Sequence, residues 1–357
     1  FRVTKKKYNY QAGLAYASSL LKSNNRTKNQ VLKQRFNNLF PTASFNYQFA
    51  RSRSLRFTYR GATAQPSVSQ LQPIQDVTNP RYIREGNPAL AQEFRNALSL
   101  TYNFFDAASL RNLFVALTFN NTSNKIVNST QVIESFGKQL LQPVNLNGAY
   151  NAGGNFNLGV PIRGVTGSNL NFTTSASYNR DPTLLNGRKT FSNNLALGED
   201  VRLNYNYNEK LDLGVNAGVD YTAVRYTLQQ RERYYTYNFG SEATYLFGNG
   251  FILSTDFDFM ANTGRSSGFN QNRALWNAAF AKALFKNKRG ELRASVFDIL
   301  NASNSVVRTV GETFIEDGET TVLKRFAMLS FTYKLNKMGG SKTQKPTRGM
   351  PKKERFR

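Results

Sequence analysis

The sequence contains no cysteine and no histidine among its 357 residues, and it has a single tryptophan. The absence of cysteine excludes disulfides, thiol nucleophiles and cysteine-type metal sites. The absence of histidine removes the commonest general base and metal ligand. We therefore expect no catalytic residue, no metal site and no cofactor, and we do not expect an enzyme.

Long hydrophobic runs are also missing. No segment approaches the roughly 18 consecutive apolar residues of a membrane helix, and the mean hydropathy is −0.50. A negative value does not exclude a membrane β-barrel, because half of every strand faces water. The chain starts at Phe1 without a signal peptide, and we expect it to be the C-terminal part of a longer protein.

Acidic residues are few relative to basic ones. Lys and Arg number 47 against 22 Asp and Glu, which gives a net charge of +25. Such an excess often indicates nucleic-acid binding, but here the basic residues lie in expected loops and turns rather than in one stripe. We therefore expect no nucleic-acid partner. Outer-membrane lipid, the phosphates of lipopolysaccharide, an anionic solute and plain solvation are the interpretations left open.

Aromatic side chains alternate with small, polar or acidic ones between residues 235 and 261. A period of two places them on opposite faces of a strand, and Asn249-Gly250 is expected to supply the positive φ angles of a tight hairpin turn. Strands long enough to cross a bilayer, with one apolar and one polar face, are typical of membrane barrels. Glu242, Asp256 and Asp258 are then expected to face the lumen.

The same alternation recurs along the chain in about fourteen segments, joined alternately by short turns and long polar loops. This predicts an all-β fold, a transmembrane antiparallel up-and-down β-barrel. Residues 1–336 are expected to form part of the barrel, and residues 337–357 a basic, disordered periplasmic tail. The segments 22–35 and 180–189 are expected to be polar loops. Phe297 and Ile299 are out of phase in their strand, which a bulge would explain.

Three stretches resemble a known family. They are Pro66 to Pro73 followed by Asn79-Pro80 and Gly86 to Leu90, Phe297 to Asn301 followed by Arg308, and the terminal Arg325 to Asn336. Together they are similar to TonB-dependent outer-membrane receptors of the Bacteroidetes type. The resemblance implies a 22-stranded barrel with an internal plug, a TonB contact through an N-terminal region missing here, and import of a scarce solute such as an iron chelate, glycan or peptide. A surface lipoprotein is a further candidate partner.

Candidate ligand-binding residues lie in the expected extracellular loops. They are Arg84, Asn87, Arg225, Arg231, Arg233, Tyr234, Arg265 and Arg273. Guanidinium forks and aromatic faces suit an anionic or sugar-like solute, although contact with lipopolysaccharide or solvation would explain these loop residues equally well. Asn87 precedes a proline and has a second interpretation as the cap of a short turn. Asp298 and Asn301 are expected to fix a strand end.

Two functions of different classes fit this sequence. The first is an active receptor-transporter that imports a scarce solute. The second is a passive porin, or a structural or assembly barrel. Both hypotheses place the protein in the bacterial outer membrane.

Overall fold

Long antiparallel strands form most of the computed structural model, which describes residues 1–25, 30–79, 81–133, 138–227, 231–264, 270, 272–285, 288–303, 305–310, 315–320 and 323–335. The long strands are β2 (Tyr8–Asn25), β3 (Gln30–Ala50), β4 (Arg53–Ala64), β7 (Glu93–Asp106), β8 (Arg111–Ser123), β11 (Ala149–Pro161), β12 (Ser168–Leu185), β13 (Arg188–Tyr207), β14 (Leu211–Tyr226), β15 (Glu232–Phe247), β16 (Phe251–Thr263), β17 (Asn272–Leu284), β18 (Gly290–Phe297) and β21 (Phe326–Tyr333). Each pairs antiparallel with the next of this series. No helix within the described residues is long and apolar enough to span a membrane.

Shorter elements complete the chain. They are β1 (Arg2–Thr4), α1 (Val68–Leu71), β5 (Gln75–Asp76), β6 (Tyr82–Glu85), β9 (Lys125–Ile133), β10 (Lys138–Leu146), β19 (Ser305–Val310) and β20 (Ile315–Thr320). The main sheet has 19 strands, and β19 and β20 form a separate two-stranded sheet. The sequence did not predict β1, β5, β6, β9 and β10. The first three have only two to four residues, and β9 and β10 lie in a segment that reads as a polar loop.

The register keeps the side chains of neighbouring strands in phase across the sheet. Ala217 of β14 lies opposite Phe239 of β15, which lies opposite Phe259 of β16. Directly opposite residues project to the same side of a sheet. One side, the apolar face, therefore carries Phe, Tyr, Leu and Val, and the other, the polar face, carries Asn, Ser, Thr, Gly and charged residues. The alternation predicted from the sequence is confirmed.

The sheet is open within the described residues, because no pairing joins β2 to β21. β1 covers only residues 9–11 of β2. On these edge strands Leu14 is 69% and Leu329 71% exposed, whereas Phe239 in the middle of the sheet is 42% exposed. The all-β antiparallel architecture is thus established, and the count of 22 strands for a whole barrel stays a prediction.

Two segments expected to be loops are strands. β2 and β3 continue through most of residues 22–35, and β12 and β13 continue to a two-residue turn at Asn186 and Gly187. The φ angles there are 47° and 74°, as an Asn-Gly hairpin turn requires. The polar composition of these segments indicated that they are exposed to solvent. Exposed strand ends can be as polar as loops, so composition does not distinguish the two.

Two local expectations also need correction. At the β15–β16 turn the positive φ angles belong to Gly248 (51°) and Gly250 (88°), not to Asn249. No bulge interrupts β18, whose register with both neighbours is continuous. The strand ends at Phe297, and Asp298 turns away with a φ of 51°. The carboxylate of Asp298 accepts the amides of Ala302 and Ser303 at 2.9 Å each, so this residue does fix the strand end.

At the loop end of the sheet, α1, β5, β6, β9, β10 and residues 86–92 form a folded layer, here called the loop layer. The hydroxyl of Ser67 accepts the amide of Gln70, whose side chain accepts the amide of Ser67, a capping box that starts α1. Leu71 is 0% and Leu90 1% exposed, the largest fully buried side chains in the described part of the chain. This layer therefore has a small core of its own.

Side chains tie the loop layer to the long strands. Gln34 of β3 donates to the carbonyl of Leu90 at 3.0 Å, and Gln72 donates to Ser23 of β2 at 3.1 Å. β6 pairs in parallel with β10, and β9 pairs in parallel with the end of β12. The stretch that the sequence left as non-periodic is thus an ordered, anchored structure. The expected tail (337–357) lies outside the described residues.

Reversing the polarity of the apolar face should impair insertion into a bilayer. We predict that Phe257→Arg lowers the free energy of unfolding by about 2–4 kcal/mol, the cost of a cation near the midplane. Its neighbour Asp258 projects to the polar face, so Asp258→Arg is the matched control and should cost far less. Unfolding titrations in phospholipid vesicles measure both, and equal costs would contradict the assignment of faces.

Truncating the core of the loop layer should loosen that layer alone. We predict that Leu71→Ala costs about 2–5 kcal/mol of local stability, because it leaves a cavity in a closed site. Limited proteolysis should then cut residues 65–92 much faster than in the wild type, with the gel mobility of the folded barrel unchanged. The exposed Val77→Ala serves as the control, and equal protease resistance of both variants would contradict a packed layer.

Candidate functional site

An open groove of about 2640 Å³ runs along the polar face between β11 and β21. Its charged lining residues are the acids Asp200, Asp212, Glu242, Asp256, Asp258 and Glu291 and the bases Arg202, Arg273, Arg293 and Lys334. Six acids and four bases give a mildly acidic groove in a chain whose net charge is +25. The positive charge of this protein is therefore concentrated elsewhere.

A charge pair spans three strands of the groove. Arg202 of β13 forms an ion pair and hydrogen bond with Glu242 of β15, across the intervening β14. The residue of β14 opposite Glu242 is Gly214. A Cβ at this glycine would lie 2.6 Å from Oε1 of Glu242, so the missing side chain gives the carboxylate room to reach Arg202.

A second glycine of β14 has the same effect two cross-strand rows further along the polar face. Gly218 of β14 lies between Asp200 of β13 and Asn238 of β15. A Cβ at Gly218 would lie 2.9 Å from a carboxylate oxygen of Asp200. Glycine in β14 thus lets polar side chains from both neighbours lie flat over the strand, and the groove keeps its width.

A second network lies over β16 to β18. The side chain of Asn277 donates through Nδ2 to the carboxylate of Asp256 at 2.8 Å and accepts the backbone amide of Asp298 through Oδ1, also at 2.8 Å. Arg293 donates to Ser254 at 2.8 Å. These contacts hold both acidic and basic groups in fixed positions along the wall, where a polar solute would find hydrogen-bond donors and acceptors.

Four of the residues singled out in the sequence line this groove. Glu242, Asp256 and Asp258 lie on the polar face, as expected for lumen-facing residues, and Arg273 lies beside them. Asp256 and Asp258 are two residues apart on one strand, and Glu242 lies directly opposite Asp256 on the next strand. The lumen-facing position of the three acids and the role of Arg273 in ligand binding stay predictions.

Two other candidates belong to the loop layer. The side chain of Asn87 accepts the amide of Ala89 at 2.9 Å and donates to the carbonyl of Pro143 at 3.0 Å, so it shapes the turn and anchors it to β10. Arg84 is exposed on β6, opposite Asp76. Hydrogen bonds from the hydroxyl and amide of Thr78, with a smaller effect of the Arg84 charge, hold the pKa of Asp76 below its usual value.

The remaining candidates do not converge on the groove. Arg225 and Arg233 are exposed and share the apolar face with Tyr221 and Tyr235, because they lie an even number of residues from these tyrosines along the same strands. Arg231 is exposed just before β15, and Tyr234 of β15 projects to the polar face. Arg265 lies outside the described residues. The seven candidates that the structure describes therefore do not converge on one place.

The sequence reading missed several groove residues, namely Asp200, Arg202, Arg293 and Lys334. The signal was available, since each lies at a polar position of an alternating strand. What could not be read was the pairing of Arg202 with Glu242, which depends on the register of three strands. The described residues contain no group of three or more Asp or Glu side chains placed to hold a metal ion.

Comparisons with known proteins identify a family. The chain matches the outer membrane protein beta-barrel family over residues 1–241 and 191–333. No curated protein matches this sequence.

Two solved structures are distantly similar to this chain. A FadL homologue of Pseudomonas aeruginosa is 11% identical with a TM-score of 0.33, over 92% of this chain and 89% of that chain. The toluene transporter TodX of Pseudomonas putida is 7% identical with a TM-score of 0.28, over 92% and 89%. Similarity at this level carries no argument about shared architecture or activity.

The glycine beneath the charge pair can be tested directly. In the wild type, a double-mutant cycle of Arg202→Gln and Glu242→Gln should give a coupling of up to about 1 kcal/mol, as for a half-exposed ion pair. We predict that Gly214→Val removes this coupling, because the new side chain occupies the position of the carboxylate. Thr222→Val in the same strand is the control, and a coupling retained in Gly214→Val would contradict the account.

Proposed function

Because this chain belongs to the outer membrane protein beta-barrel family and lies in the bacterial outer membrane, we propose that it forms the wall of a solute-importing receptor-transporter. The observation that carries the proposal is the contrast between the two sides of one sheet. The apolar face suits lipid, and the other side is a polar groove with ordered charges. A wall that served only as an anchor would not require such a groove.

The balance of charge in the groove favours one class of solute. Six acids against four bases disfavour an anionic chelate, and alternating hydrogen-bond donors and acceptors suit a neutral or cationic polar molecule. A glycan or a basic peptide therefore fits better than an anionic iron complex. The basic loop residues pointed to an anionic solute, whereas the charge of the groove favours a neutral or cationic one.

Energised import is the finer part of the proposal. The edge strands β2 and β21 have backbone groups without partners in the described sheet, and such groups are costly in lipid. Further strands would provide partners for these backbone groups and would enlarge the barrel. A barrel with many more strands has a wide lumen, and it needs a plug to stay sealed. TonB would act on such a plug. In the passive alternative, the same groove would line an open pore.

Uptake by cells tests the proposal. A strain lacking the gene should lose uptake of one radiolabelled class among neutral oligosaccharides, basic oligopeptides and ferric chelates, and the full-length gene should restore it. We predict that Asp256→Asn with Asp258→Asn lowers uptake of a basic oligopeptide several-fold, because two attractive charges are removed from the path. Asp106→Asn, at a turn outside the groove, is the control variant.

A protonophore separates the two mechanisms. Loss of uptake on its addition supports energised import, and unchanged uptake supports the passive pore. If uptake of all three solute classes is the same with and without the gene, a transport function is overturned altogether.

A further inference from the structure

A cluster of cations lies on the apolar face at the loop end of β12 to β14. Arg180 of β12 lies opposite Asn193 of β13, which lies opposite Arg225 of β14. Neighbouring strands are about 4.8 Å apart, so the two arginine backbones are roughly 10 Å apart on the same face. Two long side chains can close that gap on one group placed between them. Lys189 projects to the same face of β13, four residues from Asn193.

Aromatic rings hold two of these cations, Arg180 and Lys189, in place. The guanidinium of Arg180 lies 3.9 Å from the ring centroid of Phe191 and 5.8 Å from that of Tyr150. The ammonium of Lys189 lies 5.2 Å from the Phe191 ring. Tyr178 donates a 3.0 Å hydrogen bond to Asn193 in the middle of the cluster. The cluster is thus built on a fixed aromatic base rather than on freely moving surface side chains.

The donors of this cluster are not satisfied. The Nε of Arg180 is buried and has no hydrogen-bond partner, and a ring face attracts a cation without accepting its several N–H bonds. No carboxylate in the described ranges lies within 4.0 Å of the charged groups of Arg180, Lys189 or Arg225. The one acid next in sequence, Asp181, pairs with Lys125. The cluster therefore has positive charge and free donors but no anion.

The height of the cluster matches the lipid headgroups. Leu170 is the large apolar residue of β12 on this face that lies farthest from the loop end, and Arg180 is ten residues from it. At about 3.3 Å per residue and a tilt of about 40°, the rise is ~25 Å, the height of the apolar band of an outer-membrane barrel. Tyr150 of β11 lies directly opposite Arg180, and Tyr178 lies two residues from Arg180 on β12, with the two ring centroids 5.8 Å apart. Aromatic side chains of this kind form the girdles of outer-membrane barrels at the headgroup level.

We propose that Arg180, Arg225 and Lys189 bind a phosphate group of a phosphorylated glycolipid, the lipopolysaccharide of the outer leaflet. The long connections are at this end of the strands, which places it outside the cell. A phosphate presents several oxygen acceptors to the planar forks of two guanidinium groups and would supply acceptors that the Arg180 side chain lacks within the protein. The site is on the outer wall and is independent of the solute groove.

Binding of defined lipids to the full-length protein in detergent tests the site. Wild type should retain bisphosphorylated lipid A about 30-fold more tightly than the variant with Arg180→Gln and Arg225→Gln, the effect of two headgroup-level cations. Dephosphorylated lipid A should bind wild type as weakly as it binds that variant. Arg53→Gln removes an arginine that is held by aromatic rings at the opposite end of the sheet, and it should leave lipid A binding unchanged.

Further measurements keep the test decisive. If the double variant does not fold, as judged by gel mobility without heating, the exposed Lys189→Gln replaces it and should weaken binding about 5-fold. Equal binding of phosphorylated and dephosphorylated lipid A would overturn the proposal. Complete displacement of lipid A by millimolar inorganic phosphate would also overturn the proposal, since that result would indicate that the site binds a free anion rather than a lipid.

Discussion

The constraint on which the structure depends is the in-phase register of its antiparallel strands. A slip of one residue at any pair would turn every later side chain to the other face. The series from β2 to β21 contains one irregularity, between Gln48 and Ala50, where β3 is about to turn into β4. Both the apolar face and the groove exist because the side chains of fourteen strands stay in phase across the sheet.

The polar face carries many charged side chains and still leaves an open groove. Cross-strand neighbours on one face are about 5 Å apart, so long polar residues at every position would crowd each other. Gly214 and Gly218 remove that crowding and allow Glu242 and Asp200 to lie over β14. The arrangement costs some strand propensity and provides a groove whose charges are held in pairs and networks.

The sequence predicted the strands and their faces well, because alternation is a local signal that register preserves. It predicted the loops poorly. Asn186-Gly187 has the same turn signature that was used at residues 249 and 250, yet the polar residues around it suggested a loop. The eighteen residues between Leu71 and Leu90 show no periodicity, and only the structure reveals that both leucines are fully buried. Likewise, the side on which Arg225 lies follows from the continuation of β14 to Tyr226, which composition does not show.

The loop layer changes how the mouth of this barrel responds to mutation. Surface loops of outer-membrane proteins ordinarily accept inserted peptides, since a longer loop adds little entropic cost. Here the segment between β4 and β7 is attached to β2, β3 and β10 through Gln72, Gln34 and Asn87. An epitope inserted within it would have to break a packed core as well as lengthen a connection. The loop layer is therefore an anchored structure, and surface variation should accumulate around it rather than in it.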